Sequence, residues 1–520
     1  EAPVWPLGSS LALCLAVALI GVGLLFVMPM AHAALVWPVL GLGFLWVALK
    51  LAHPALSLMW AALTAASALT FLVFGPAIWA PLPVAELPLP WPGLTGGLAW
   101  WTPLVLAVCT VLAGDWLQAD ARRNSGWRMS WVSSGAVQVG MVGWSLVWWW
   151  LTLLPEVSRE LQLMHLTAWW PACVALWVTV TAALMVWVAH ARQWRLMGQA
   201  SALAIPGWYW AALLGPAFSP LPPSADLGWL AWPLALCCGP WLLRRLQAWL
   251  DDSALRHLHV LGFWLMAALL CRQAQWATDQ WATPGSGWQS LCWILVPASL
   301  VLLVSSPRAA ARWPLRDFAQ SYRVAGALPL VAGLVLWLLH SLVSSGRAQP
   351  LPYVPVLNPL ELGQCLVVLT LVMWVRELPA SIQAQLPEGR TRLAALGGLA
   401  WLVITTMVLR ACHHWADVPW DASALFQSKL TQASLSVVWA LLGVGLMIRG
   451  HRQVQRAVWV AGAGLLGVVV GKLFFLELAD HGGLYRIISF IVVGLLLLVV
   501  GYFAPVPPDQ AAERAESEVP

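Results

Sequence analysis

SSLALCLAVALIGVGLLFVM, residues 9–28, carries no charged side chain and no alternation of polar with apolar positions. A helix of about 20 such residues rises roughly 30 Å, the thickness of a bilayer's hydrocarbon core. A lone strand of the same composition would leave its backbone N–H and C=O groups unpaired in lipid, so the stretch reads as a membrane-spanning helix. The same character extends along the whole chain. Over 520 residues it is 61% hydrophobic and 9% charged, where water-soluble domains average about 25% charged. Mean hydropathy is +0.77, and 27 basic against 22 acidic residues leave a net charge of +5. These values exclude a soluble enzyme with a single anchor, a disordered protein and a nucleic-acid binder. The expected fold is all-α: a polytopic transmembrane helical bundle.

Comparable apolar runs lie near 34–51, 55–74, 100–117, 131–154, 166–189, 200–217, 227–243, 257–273, 288–304, 325–345, 359–375, 393–409, 429–448, 456–475 and 485–504. Together with 9–28 they predict about 16 membrane spans. Two are irregular: 200–217 contains Pro206, Gly207 and Pro216, and 257–273 is short and carries Arg272. Basic residues give an independent check, because Lys and Arg are retained in cytoplasmic loops. Alternate loops hold Lys50; Arg122, Arg123 and Arg128; Arg192 and Arg195; Arg244, Arg245 and Arg256; Arg308, Arg312, Arg316 and Arg323; Arg376, Arg390 and Arg392; and Arg449, Arg452 and Arg456. The opposite side has Arg159, Arg272, Arg347, Arg410, Lys429, Lys472 and Arg486. One mistaken span would invert this bias downstream, and no inversion occurs. Both termini are therefore expected in the cytoplasm.

The chain begins at Glu1 with neither a basic leader nor a small-residue cleavage signal, so Leu7 to Met30 is expected to be a genuine span. Nine cysteines, an odd number without regular spacing, predict neither a disulfide framework nor a CxxC metal site. Most of the 39 tryptophans, such as Trp100–Trp101, Trp148–Trp150 and Trp169–Trp170, fall near proposed span ends, where the indole favours the headgroup level. Six prolines between 75 and 99 rule out a helix there and predict an outer loop or re-entrant segment. The tail 505–520 is polar and expected to be disordered and cytoplasmic.

Ionisable residues on the predicted outer side gather towards the C-terminus. RACHHWADVPWDASALFQSK, residues 410–429, supplies Arg410, His413, His414, Asp417 and Asp421. The next outer turn supplies Lys472, Glu477, His481 and Arg486. Charges held near hydrocarbon are costly and usually find partners. These nine residues are the expected substrate-binding set, lining an outward-facing polar pocket in which Arg410 and Arg486 could clamp an anion bidentately. An earlier outer loop adds Arg347, Tyr353 and Asn358, followed by Glu361. Adjacent histidines point in different directions on regular backbone and no HxxxH spacing occurs, so no metal and no cofactor are expected. Asn358–Pro359 reads as a helix N-cap and first position, and Asp421 or Ser423 as a cap for the helix that follows. Gly482–Gly483 reads as a tight turn.

LPYVPVLNPLELGQ (351–364), HHWADVPWD (413–421), SKLTQASLSVVWALLGVGLM (428–447), GKLFFLELADHGGLYRIISF (471–490) and VGYFAPVPP (500–508) together resemble one family. It is the large bacterial family of polytopic predicted membrane proteins classed as a domain of unknown function. The resemblance covers residues 350–508; Glu477 stands where it implies aspartate, with the charge retained. It implies that the chain is the C-terminal half of a longer product, with further helices preceding it or on another polypeptide. It implies no activity. The expected organisation is residues 1–345 as N-terminal transmembrane helices, 346–504 as C-terminal helices carrying the motifs and polar cluster, and 505–520 as the tail. The expected role is transport or handling of a lipid or polar envelope substrate in the bacterial inner membrane. A scaffold or subunit of a larger complex, and a glycosyltransferase-like enzyme with a lipid-linked donor, are the alternatives. Expected partners are membrane lipids, the N-terminal half or other membrane subunits, and no nucleic acid.

Overall fold

A computed structural model of the chain describes residues 7–28, 30–51, 53–74, 101–123, 135–218, 221–387, 389–473, 494 and 498. Among these residues every regular element is helical and there is no strand. In chain order the helices are α1 (Leu7–Val27), α2 (Met30–Leu51), α3 (Pro54–Phe74), α4 (Trp101–Arg123), α5 (Gly135–Leu163), α6 (Trp170–Arg192), α7 (Arg195–Ala200), α8 (Ala204–Phe218), α9 (Gly228–Leu246) and α10 (Asp252–Asp279). They continue as α11 (Gly287–Ser305), α12 (Pro307–Ala310), α13 (Leu315–Gln320) with a π-helical turn at Ser321–Gly326, α14 (Leu328–Val343), α15 (Pro359–Arg376), α16 (Ala380–Gln383), α17 (Gly389–Ala416), α18 (Ala422–Gln427), α19 (Lys429–Arg452) and α20 (Arg456–Lys472).

The described residues of every apolar run from 9–28 to 456–475 fall mainly on one of these helices. The run 485–504, apart from 494 and 498, lies outside the described residues, as do the proline-rich 75–99 segment, the Gly482–Gly483 turn and the tail. Ten helices are long and apolar enough to cross a membrane, or eleven when the bent pair Leu315–Gly326 and Leu328–Val343 counts as one span. Of the remaining helices at expected spans, α8, α14 and α20 have 15, 16 and 17 residues, fewer than the roughly 20 that a perpendicular crossing takes, whereas α5 and α9, with 29 and 19 residues, are not excluded by length. The two irregular runs are both helical. Pro206 sits in the first turn of α8, where a missing N–H costs nothing, and 257–273 belongs to the 28-residue α10.

The helices pack into two compact units, Glu1–Gln273 with Ala310–Gly326, and Ala274–Ala309 with Ala327–Pro520. These units divide the chain by packing, whereas the division at 345/346 is one of motif content. Lipid tails are as apolar as leucine, so helices inside a bilayer are held by close packing and by hydrogen bonds between them, the latter about 0.6 kcal/mol each. The first unit uses both. Val174, Ala175 and Val178 of α6 pack with Ile205 and Trp208 of α8 and with Ala231 and Ala235 of α9, all almost fully buried. Trp37 donates to the Gly21 carbonyl (3.0 Å), Trp149 to Thr181 Oγ1 (2.8 Å) and Trp208 to Thr179 Oγ1 (3.1 Å). Trp148 and Trp170, expected at the headgroup level, are instead interior residues, as are Trp37, Trp194 and Trp208. Their sequence neighbourhoods do not distinguish the two roles.

In the second unit α11 packs against α14 and α15, and α19 lies along α20. The last pair approaches closely because glycines face each other: a Cβ on Gly462 would lie 2.6 Å from the carbonyl oxygen of Gly443. α17 is different. It meets α19 through Trp401 and Trp439, whose indole donates to Thr405 Oγ1 (3.0 Å), yet none of its most apolar window is buried. Its buried residues are Arg410 and Cys412, in the last two turns.

Candidate functional site

The connection from α14 to α15, residues 344–358, has no regular structure to satisfy its backbone. Buried carbonyls must be paired, and the end of α17 supplies the donors. Arg410 Nη2 donates to the Ser341 carbonyl (2.6 Å) and Nε to the Ser344 carbonyl (3.0 Å). These belong to the last turn and C-cap of α14, where carbonyls lack intrahelical partners and the helix dipole favours a cation. His414 Nε2 lies 2.9 Å from the Ser345 carbonyl, Trp415 Nε1 donates to the Tyr353 carbonyl (3.1 Å), and Trp420 Nε1 to the Val343 carbonyl (2.9 Å). Four side chains from one short segment thereby close around one connection.

Glu361 completes the arrangement from the first turn of α15, the end where the dipole favours an acid. Its Oε1 accepts from the Tyr353 hydroxyl (2.6 Å) and lies 3.5 Å from Arg410 Nη1, and its Oε2 accepts from the Val356 amide (2.5 Å). The two charged side chains are 3% and 0% exposed. Asn358 caps α15 as its sequence predicts, accepting from the Leu360 amide (2.8 Å), while its Nδ2 donates to the Gly346 carbonyl (2.7 Å). Gly346 has φ +65, and a Cβ there would lie 2.9 Å from Arg410 Cδ, so both its conformation and its lack of a side chain are needed.

The rings above this pair are stacked and oriented. His414 lies over Tyr353 at 4.7 Å with planes 20° apart, and His413 faces Trp420 at 5.7 Å. A carbonyl can only accept, so the bonds to Ser345 and Val418 require protons on His414 Nε2 and His413 Nδ1. Burial, then the hydrogen bond to Glu361 and its negative charge, push the Tyr353 phenol above its ordinary pKa, keeping it a donor. Asp417 turns the chain in a left-handed conformation (φ 52) that aspartate tolerates. Asp421 caps α18, accepting from the Ser423 and Ala424 amides (2.9 and 3.1 Å) and from the Ser423 hydroxyl. Those bonds, the hydroxyl's first, hold its carboxyl below the usual range. Ser428, not Ser423, caps the long α19.

Residues 159–507 match the family described as predicted membrane protein (DUF2339). The chain belongs to this family. The match begins at 159 and not near 350, so the family's extent includes helices in which the sequence blocks show nothing beyond hydrophobic character. No curated protein and no solved structure matches the chain. As a member of the family it is a membrane protein of multiple apolar helices.

Of the nine expected site residues, the structure brings Arg410, His413, His414, Asp417 and Asp421 together at the end of α17. Arg410 turns inward, its guanidinium bonded to two carbonyls and beside Glu361, instead of facing an open pocket. Lys472 is held by α19, donating to the Gln432 carbonyl (2.8 Å) and to Ser436 Oγ (2.7 Å). Glu477, His481 and Arg486 lie outside the described residues, and with them one half of the expected anion clamp. Glu361 and Tyr353, which the sequence places only nearby, are at the centre. Ser341 and Ser344 take part through backbone carbonyls, which leave no sequence signature. Among the described residues no group of three His, Cys, Asp or Glu is placed to hold a metal ion.

Proposed function

We propose that the protein is a multi-pass component of the bacterial inner membrane, with about 16 spans and both termini cytoplasmic, which transports or handles a lipid or polar envelope substrate. The substrate is met on the outer side, at the surface formed by the end of α17 and the connection it closes. One observation carries this reading: a locked framework lies beneath an exposed surface of mixed character. Trp415 is 66% exposed, and Leu351, Val354, Val356 and Leu357 are exposed beside it on the same connection. Asp417 and Asp421 add carboxylates. A surface that is aromatic, apolar and acidic at once suits an amphiphile better than a free ion. In this reading Arg410 is framework, His413, His414, Asp417 and Asp421 form the rim, and Lys472, Glu477, His481 and Arg486 complete the polar set.

Two measurements test it. Single cysteines placed at Trp415 and Arg452, at opposite ends of the second unit's helices by the arginine pattern, should be labelled by an impermeant thiol reagent from opposite sides of the membrane. In cells lacking the chain, the wild type but not Trp415→Ala or His413→Ala should restore the lipid and glycan profile of the envelope. Full restoration by both variants, inserted at normal levels, removes the reading.

A second reading is favoured by α17, whose apolar window is unburied along its length. It is a membrane scaffold or subunit of a larger complex, with α17 as the helix that meets the partner. A stable monomer after extraction in mild detergent counts against it. The glycosyltransferase-like alternative has less support, because Asp421 is engaged as a helix cap.

A further inference from the structure

The first unit contains a groove that the polar cluster does not involve. It lies where α6 and α9 begin and α8 and α10 end, and its volume is about 140 Å³. That is close to the size of an apolar cavity that accepts a benzene-sized group. The groove exists because small side chains line it, among them Ala168, Ala212, Gly215 and Ala268. Its wall is held in place by the end of α10. Arg272 Nη2 donates to the Leu221 carbonyl (3.0 Å), and Gln273 Oε1 accepts from the Ser224 amide (3.1 Å). Arg272 and Asp226 are the charged members of the lining, one of each sign. Asp226 is exposed and sits in a left-handed conformation (φ 49).

We propose that this groove binds a phospholipid with a zwitterionic headgroup, phosphatidylethanolamine, from the surrounding bilayer. The guanidinium of Arg272 takes the phosphate, the carboxylate of Asp226 takes the ammonium, and the first methylenes of one acyl chain enter between Ala212 and Ala268. Charge complementarity selects this occupant. Guanidinium matches phosphate geometry, whereas a purely anionic headgroup would meet Asp226 unfavourably and leave it unpaired. An apolar lining gives a free anion nothing further to bind, and the volume admits part of a chain, so the rest lies along the lipid-facing helices. The site is separate from the second unit and from the function proposed there.

The test uses the full chain in nanodiscs containing phosphatidylethanolamine or phosphatidylglycerol with matched acyl chains. Lipid retained after detergent extraction is counted by native mass spectrometry. The wild type should retain phosphatidylethanolamine about tenfold better, the worth of one charge-assisted hydrogen bond. Arg272→Gln should lose both lipids, and Asp226→Asn should keep lipid but lose the preference. Ala268 is exposed to the groove, so Ala268→Phe should fill it and abolish retention without disturbing packed residues. Leu270→Phe, on the exposed side of the same helix, should have no effect. Equal retention of the two lipids by the wild type overturns the proposal. So does phosphatidylethanolamine retention that survives both Arg272→Gln and Ala268→Phe, which would leave Arg272 as a loop anchor only.

Discussion

Arg410 Nη1 lies 3.5 Å from Glu361 Oε1, and neither side chain has more than 3% of its surface exposed. The pair joins the end of α17 to the start of α15 across a chain separation that no local signal spans. A buried ion pair is tolerated only when further hydrogen bonds satisfy the remaining donors and acceptors. Here Tyr353 and the Val356 amide bond Glu361, and the carbonyls of Ser341 and Ser344 bond Arg410 Nη2 and Nε, while Nη1 has only the ion-pair contact with Glu361.

Removing one partner leaves the other charged and buried. Arg410→Met should therefore destabilise the protein by about 3–5 kcal/mol. Arg410→Met combined with Glu361→Leu should lie much closer to wild type. Thermal unfolding in detergent would show it, and equal melting of the single and double variants would mean that the pair is not coupled.

Gly346→Ala meets two obstacles, the positive φ and the contact with Arg410 Cδ. A loss of about 1–3 kcal/mol is expected, and it should shrink when Arg410 is already Met. The same melting assay reads both.

Tyr353→Phe deletes a buried hydrogen bond to a carboxylate, which should cost roughly 1.5–3 kcal/mol. Because the phenol's folded pKa is raised, its contribution is complete below the unfolded value of about 10 and declines as pH rises through the folded one. Wild-type stability should fall on titration above that pH, and the fall should be smaller in the Phe variant.

Asp421 has the opposite sign. Its folded pKa is lowered, so the cap on α18 holds above the ordinary carboxylate pKa and is lost as pH drops through the folded value. Hydrogen exchange at the Ser423 and Ala424 amides should speed up on acidification, and in Asp421→Ala it should already be fast at neutral pH.

Gly462→Val places branched carbon against the carbonyl of Gly443 and should force α19 from α20. A cost of about 1–3 kcal/mol is expected from overpacking, with cross-linking between cysteines on the two helices reduced. Undiminished cross-linking would show that the helices do not meet through these glycines.

The helices were legible because hydrocarbon imposes one rule on every span, and runs such as 257–273 state it even when short. The caps were legible too, since Asn358–Pro359 and Asp421 act within three residues of themselves. What could not be read was direction. Arg410 looks the same in sequence whether it faces a pocket or its own backbone, and its acceptors, the carbonyls of Ser341 and Ser344, belong to every residue type alike. Trp170 shows the same ambiguity: a tryptophan near a span end is equally compatible with headgroups and with a hydroxyl on another helix, here Ser158.

Ser344 precedes Arg410 by 66 positions. At about 5–20 residues per second a ribosome needs roughly 3–13 s to cover that interval. Once Asn358 is added the α14–α15 connection is complete, while the side chains that close over it are still untranslated. Its carbonyls must meanwhile find other partners, so the fastening of this connection waits for the end of α17, and a chain ending just before Arg410 would lack every side chain that closes over it.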